Sequence, residues 1–386
     1  MKEKTEGIHG NRAGIMGHCN CPSRKIELSK LLFEAGLLLI GISKLWKFSN
    51  GRDTFILAAG LALLLLKIVT DRTYTGYQMA SLIGVFFLGV LIFLKTGEMN
   101  PFTLFVILFA MKGIDVNRAL KMFLVLNIVF FAGTIVLCKM GIIYDDIYYF
   151  SRPGQILARH SYGLGHPNQV FLRMLVISMI MLACVRGKYH KVKMFLTFFL
   201  SFILYKGTDS RSGFICTLLL LAVVGLLDIS TGKIRQVISV GMMAAYLAVV
   251  ILPVVFLFWN GSLVQAVDRA ITGRISLAKK FLASYSLSVF GTDRQISDKF
   301  VIDNSYMYFM VHYGILFFIL YVVAVGCLLC AMYKKKMAYV IASVVVLHIY
   351  AFIECVLINP MFNFCILYGG VFLMNHIPGK KEWKII

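Results

Sequence analysis

SRPGQILARHSYGLGHPNQVFLRMLVISMIMLACV, residues 151–185, changes character halfway along. The first half carries Arg152, Arg159, His160 and His166 in a backbone broken by glycine and proline. From Asn168 to Val185 the chain is almost wholly apolar, interrupted by Arg173, and is long enough to cross the ~30 Å hydrocarbon layer of a bilayer as a helix. Hydrocarbon tolerates polar, irregular backbone only at its surface or around a cavity. The stretch therefore reads as a membrane helix with a functional mouth.

The rest of the chain repeats the apolar half. Of 386 residues 59% are hydrophobic and 15% charged, and the mean hydropathy is +0.82. The expected fold is all-α, a polytopic integral membrane protein with about twelve transmembrane helices. They fall near 31–45, 54–69, 76–94, 101–112, 119–138, 168–185, 191–206, 213–228, 234–258, 305–332, 337–353 and 361–376. Residues 1–30 and 377–386 read as cytoplasmic tails around a single helical domain, 31–376, which leaves no room for a soluble domain.

Orientation follows from lysine and arginine, which mark cytoplasmic loops. They gather in the two tails and in the loops holding Lys67/Arg72, Lys112/Arg118/Lys121, Arg186/Lys188/Lys191/Lys193, Lys233/Arg235 and Lys334/Lys335/Lys336. Both termini are thus expected inside. A net charge of +21 spread over many short loops argues for topology and attraction to anionic lipid, not for nucleic acid. Residues 1–30 have no apolar core of signal-peptide type, so insertion through the first helices without cleavage is expected. Most of the nine cysteines lie in or beside spans, where a thiol is a small hydrophobe. His18-Cys19-Asn20-Cys21 lacks a second ligand pair, and Cys327/Cys330 sits within an apolar helix, so neither points to metal or redox chemistry. No cofactor is expected.

Two external loops, 139–167 and 259–304, exceed what a helix connection needs. The first holds Tyr144, Tyr148, Tyr149, Phe150 and Tyr162 beside Asp145 and Asp146; such residues stack on sugar rings or form an interfacial aromatic belt, and both readings stand. In the second, Leu263, Val267, Ile271, Ile275, Ala278, Leu282 and Tyr285 recur at helical spacing opposite Asp268, Arg269, Arg274, Lys279 and Lys280. That pattern predicts an amphipathic helix pair on the membrane surface, hinged near Gly273.

In this topology the spans opening at Asn168, at Asp209-Ser210-Arg211-Ser212 and at Asp303-Asn304-Ser305 all start on the external face, with polar caps. Helix N-termini offer free N–H donors, and Arg159, Arg173 and Arg211 follow or precede them closely, a receptor for phosphate or diphosphate. Arg173 falls about one and a half turns into its span, which points to a polar cavity; snorkelling to outer headgroups is the competing reading. Glu34 and Glu354, near apolar depth, suit structural roles better than proton relay, and His312, His348 and His376 read as packed histidines.

Gly163-Leu164-Gly165-His166-Pro167-Asn168 before one span, Ser210-Arg211-Ser212-Gly213 before another, and a long loop closed by Asp303-Asn304-Ser305-Tyr306 and followed by Gly314 resemble, in that order, bacterial Wzy-type polysaccharide repeat-unit polymerases. Arg152 and Gly163 share the Arg-x10-Gly spacing of some of them. The resemblance covers residues 30–376 in span number and loop placement, and its specific part is the three short stretches. It implies a glycosyltransferase of the O-antigen polymerase and ligase superfamily. Such an enzyme acts on undecaprenyl-diphosphate-linked oligosaccharide at the outer side of the bacterial cytoplasmic membrane, with flippase and chain-length regulators as partners. An acceptor hydroxyl would attack the anomeric carbon, polyprenyl diphosphate would leave, and one displacement would invert the centre.

The residues accommodate this chemistry. Arginine's planar fork binds phosphate in a bidentate manner and stays charged, which nominates Arg159, Arg173 and Arg211, with Arg152, Arg269 and Arg274 behind them. His166, in its Gly-His-Pro-Asn frame, is the candidate base, or else a loop brace, with Asp303 or Asp146 as the alternative base. Tyr162, Asn168, Asn304 and Tyr306 are candidates for glycan contact or for framing the loops. Related ligases carry an important histidine in the large external loop; residues 259–304 contain none. No external cluster matches a divalent-metal site. A ligase that transfers a finished glycan, and a transporter of lipid-linked sugars, are the rival functions. A transporter usually places ionisable groups at the bilayer midplane in repeated halves.

Overall fold

The computed structural model describes residues 22–46, 52–71, 74–152, 155–185, 187, 189–270, 273–284, 287–292 and 302–374. They form α1 (Pro22–Leu45), α2 (Arg52–Thr70), α3 (Gly76–Thr96), α4 (Asn100–Ala110) and α5 (Val116–Lys139), then a hairpin of β1 (Ile147–Arg152) and β2 (Gln155–His160). After these come α6 (Pro167–Met179, extended by a π-helical turn Ile180–Cys184), α7 (His190–Thr208), α8 (Arg211–Ile229), α9 (Gly232–Phe258), α10 (Ser262–Ala270) and α11 (Arg274–Ser284). The chain ends in α12 (Ser305–Tyr308, with a π turn Phe309–Tyr313), α13 (Ile315–Lys334), α14 (Ala338–Ala351) and α15 (Cys365–Met374).

The helix boundaries follow local chemistry. Thr75 and Gln78 form a reciprocal capping box at the start of α3, and Gly97 ends it in the left-handed conformation. Asp115 accepts the Asn117 N–H at the start of α5. Among the described residues, seven helices are long and apolar enough to cross a membrane: α2, α3, α5, α6 with its π turn, α8, α9 and α13. Their outward faces are apolar, with Phe55 and Leu94 75–81% exposed, as side chains meeting lipid would be. α6 and α14 are the innermost helices; every residue from Val340 to Leu347 is buried although the run is rich in valine. Packing on α8 and α9 overrides the β-branched preference for strand there.

α1 begins at Pro22, inside the expected tail 1–30, and three further features depart from the sequence expectation. The loop 139–167 holds an antiparallel hairpin in which Tyr148 pairs with Arg159 and Ile147 with His160. The span expected over 305–332 breaks at Gly314 (φ +93°), where a Cβ would lie 2.2 Å from the Val289 carbonyl oxygen. The segment 287–292 crosses there, and the Ile315 N–H donates to the Ser288 carbonyl at 3.0 Å. Last, residues 352–364 are irregular yet buried or half-buried, between α14 and α15. Their backbone is satisfied by side chains: Asn304 Nδ2 donates to the Phe352 carbonyl at 2.8 Å, Ser305 Oγ to that of Glu354 at 2.8 Å, and Asn127 Nδ2 to that of Met361 at 3.1 Å. Non-helical backbone survives at such a place only where protein groups pair it.

The amphipathic pair is present and turns at Gly273 (φ +79°). Ile275 and Ala278 of the expected stripe face inward, but at the start of α10 the inward position is Val264 and not Leu263. Val264, Ile275, Ala278 and Phe281 are buried whereas Leu263 is 54% exposed, and Val264 and Ile275 pack on Phe256 of α9, with Phe352 alongside. The pair is held against protein, so its apolar stripe answers Phe256 and Phe352 as well as any lipid surface. Ile271 and Tyr285 lie outside the described residues.

Candidate functional site

A chain of polar side chains runs across the hairpin end of the bundle and joins five separate segments. On β2, Arg159 donates from Nε to the Thr208 carbonyl at 2.7 Å and from Nη2 to Asn168 Oδ1 at 2.8 Å. The Asn168 amide turns its other end to Glu354, Nδ2 to Oε1, at 2.7 Å. Arg274, at the start of α11, places Nη2 2.9 Å from the same Glu354 oxygen and 3.5 Å from Asp303 Oδ2. Glu354 is buried, the Arg274 side chain is 12% exposed, and that of Asp303 is 40% exposed at the rim.

His166, not Asn168, is the N-cap of α6. Its Nδ1 accepts the Asn168 N–H at 3.2 Å, and Pro167 takes the first helical position, where no N–H is needed. Tyr148 packs edge-on against the His166 ring at 5.0 Å and donates its hydroxyl to the Gly165 carbonyl at 2.7 Å. The cap decides the tautomer. With Nδ1 accepting, a neutral ring carries its proton on Nε2 and is a donor there; a second proton on Nδ1 would face the Asn168 N–H. Burial, the Arg159 guanidinium and Arg274 lower the His166 pKa against an opposing pull from Asp303. The ring is thus neutral at pH 7 and better suited to donate a hydrogen bond than to accept a proton.

Glu354 is shifted the other way: burial raises its carboxyl pKa although Arg274 and Asn168 oppose the rise. Arg173 lies seven residues after His166 on the same face of α6, about 10 Å deeper by helical rise. It is 9% exposed, sits 5.8 Å above the Phe362 ring, and its Nε and Nη1 have no hydrogen-bond partner among the described residues. A buried cation left in this way is costly unless an anion reaches it.

The remaining candidates divide. Asn304 caps α12, accepting from the Tyr306 and Met307 N–H groups at 2.9 and 3.1 Å, and Tyr306 is fully enclosed with its hydroxyl on the His348 carbonyl at 3.1 Å. Both belong to the frame. Tyr162, in the left-handed region (φ +49°), gives its N–H to Asp145 Oδ1 at 2.8 Å and lays its hydroxyl against Gly207. It braces the hairpin on α7. Arg211 is 61% exposed, 4.0 Å from Asp209, and outside the polar chain; Ser210 at the N-cap of α8 makes no side-chain cap. Arg269 is exposed on α10, and Asp146 stays on the hairpin, its N–H donating to Ser161 Oγ at 3.0 Å. Arg152 ends β1; its side chain lies outside the described residues.

In the sequence Arg274 stands behind Arg159, Arg173 and Arg211, and Glu354 suits a structural role. The signal was present in Ile353-Glu354-Cys355-Val356, a carboxylate in an apolar run, followed by the helix-breaking Asn359-Pro360. For the hairpin, the β-prone Ile147-Tyr148-Tyr149-Phe150 precedes the turn dipeptide Pro153-Gly154. Apolar helices long enough to cross a bilayer, with irregular paired backbone and buried arginines at one end, define the class: a helical membrane protein with a built polar site. Comparison of the chain with known protein families, with curated proteins and with solved structures finds no match.

Proposed function

We propose that the chain polymerises oligosaccharide repeat units carried on a polyprenyl diphosphate, at the external face of a bacterial cytoplasmic membrane. In this reading it has about twelve spans, both termini inside, and the hairpin end outward. The observation that carries the proposal is the polar chain from Arg159 through Asn168, Glu354 and Arg274 to Asp303, with Arg173 below it. It offers arginine forks for a diphosphate and one accessible carboxylate held in place beside them.

The acceptor hydroxyl oxygen attacks the anomeric carbon of the lipid-linked chain. The bond from that carbon to the diphosphate oxygen breaks, polyprenyl diphosphate leaves with the electron pair, and the hydroxyl proton passes to Asp303. Arg159 and Arg173 face the charge that grows on the diphosphate, and His166 Nε2–H donates to one of its oxygens. Arg274 orients Asp303, and Glu354 holds Arg274. The base thus moves from His166 to Asp303, because the capping bond occupies the lone pair that His166 would need.

Purified protein in vesicles, given lipid-linked repeat units, tests this. Asp303→Asn is expected to insert normally, keep the donor bound and lower the polymerisation rate by about a hundred- to ten-thousandfold. Polymer formation within a few-fold of the parent would remove Asp303 as base, and absence of polymer from the parent itself would overturn the function.

A further inference from the structure

At the opposite end of the bundle, where α8 ends and α7, α9 and α14 begin, two clefts share the Arg235 wall. The larger, of about 530 Å³, is lined by Tyr189, His190, Lys191, Asp228, Arg235 and Tyr339. The smaller, of about 190 Å³, runs on from Arg235 to Lys336. The one acid there is engaged within the wall. Asp228 Oδ1 accepts the Tyr339 hydroxyl at 2.9 Å, and its Oδ2 lies 3.2 Å from His190 Nε2. Arg235 gives Nε to the Leu227 carbonyl at 3.0 Å and lies 5.8 Å over the Tyr339 ring, which fixes the plane of its guanidinium. Lys191 and Lys336 are exposed at the rim.

The surface around this basic cleft is apolar. Val192, in the lining itself, and Ile229 and Val237, next to lining residues in sequence, are 53%, 80% and 71% exposed on the outward sides of α7, α8 and α9. The cleft thus opens where a bilayer's headgroup layer meets its hydrocarbon. A free phosphate would use the cations and leave the apolar flank bare; a phospholipid uses both. Basic recesses between helix ends bind anionic headgroups by this combination, and a planar guanidinium favours phosphate over a diffuse negative surface.

We infer that these two adjoining clefts hold the headgroup of an anionic phospholipid, with Arg235 on the wall they share, Lys191 in the larger and Lys336 in the smaller as the cations that meet its phosphate, and its acyl chains along Val192, Ile229 and Val237. The site lies on the far side of the bundle from the polymerase site and does not rest on that reading.

The full-length protein, purified in detergent, would be titrated with phosphatidylglycerol vesicles, phosphatidylcholine vesicles and inorganic phosphate while its melting temperature is followed. A saturable rise with phosphatidylglycerol, absent with the other two, is expected. Lys191→Gln combined with Lys336→Gln alters only exposed side chains, so it should melt with the parent in phosphatidylcholine yet need about tenfold more phosphatidylglycerol for half-saturation. Arg235→Gln should lose the rise. Lys233→Gln combined with Lys334→Gln, of equal charge but outside the cleft lining, should keep it. An equal loss in that control pair, or an unchanged response in the cleft pair, would overturn the site. The same rise with inorganic phosphate alone would overturn the lipid as its occupant.

Discussion

Arg274 with Glu354 and Arg118 with Glu34 are the same two side chains in two settings. At the hairpin end, the Arg274 and Glu354 side chains are 12% and 8% exposed, and Asn168 and Asp303 surround the pair. Between α5 and α1, the Arg118 and Glu34 side chains are 58% and 33% exposed. Water screens the second pair and solvates either partner left alone. The first has lost that solvation, so each partner depends on the other and on the amide of Asn168. Burial, not the identity of the pair, makes one a structural keystone and the other a surface contact.

The largest expected effect follows from breaking the buried pair on one side only. Arg274→Ala leaves the Glu354 carboxylate enclosed with Asn168 as its remaining partner, and should cost about 3–5 kcal/mol in denaturation by heat or detergent exchange. Arg274→Met combined with Glu354→Leu should recover most of that stability yet remain inactive in polymerisation. If the double variant polymerises, Arg274 only packs and does not position Asp303.

Arg173 sharpens the comparison, since it is a buried arginine with no carboxylate at all among its described contacts. Arg173→Ala should abolish polymer while leaving the protein as stable as the parent or more so, because removing a buried cation whose Nε and Nη1 make no hydrogen bond relieves desolvation. Arg173→Lys should restore little, as the fork is lost. A parent-like rate for Arg173→Ala would place the guanidinium outside the diphosphate path. Arg211, exposed and off the polar chain, should tolerate lysine with a change of a few-fold in the same assay.

The pH dependence at His166 is smaller. Its folded pKa is lowered, so its contribution to stability is fully present above the unfolded histidine value of about 6.5 and is lost as pH falls through the lower folded value. His166→Asn keeps a capping oxygen that does not titrate. Its melting temperature should therefore fall less than the parent's between pH 7 and pH 5; parallel curves would deny the cap its neutral imidazole. Smallest of all, Glu34→Gln should change stability by roughly 0.2–1 kcal/mol, the range of exposed pairs.

The apolar runs were enough to name long helices such as those over 54–69, 119–138 and 234–258, because hydrophobic length is a local property and each run reports on itself. Likewise Gly273 marked the bend between α10 and α11, since glycine relieves a left-handed backbone wherever it falls. Which side of α10 faces inward was less legible. Leu263 and Val264 are equally apolar, and the choice belongs to Phe256 and Phe352, distant residues that pack against Val264.

The same division runs through the site. The sequence was enough for a mainly helical, membrane-type chain and for Arg159, Arg173, Asn168, His166 and Asp303 as residues crowded at helix mouths, because polar groups beside apolar spans are conspicuous one by one. Only the tertiary structure decided that Asn168 joins Arg159 to Glu354, that Arg274 reaches back from a surface helix to the same carboxylate, and that Arg211 stays outside. Those contacts link residues 80 and 186 positions apart in the chain, and no local pattern encodes which of several buried charges will share an oxygen. The tautomer of His166 was decided there too, by a capping bond of 3.2 Å that exists only once α6 has begun at Pro167.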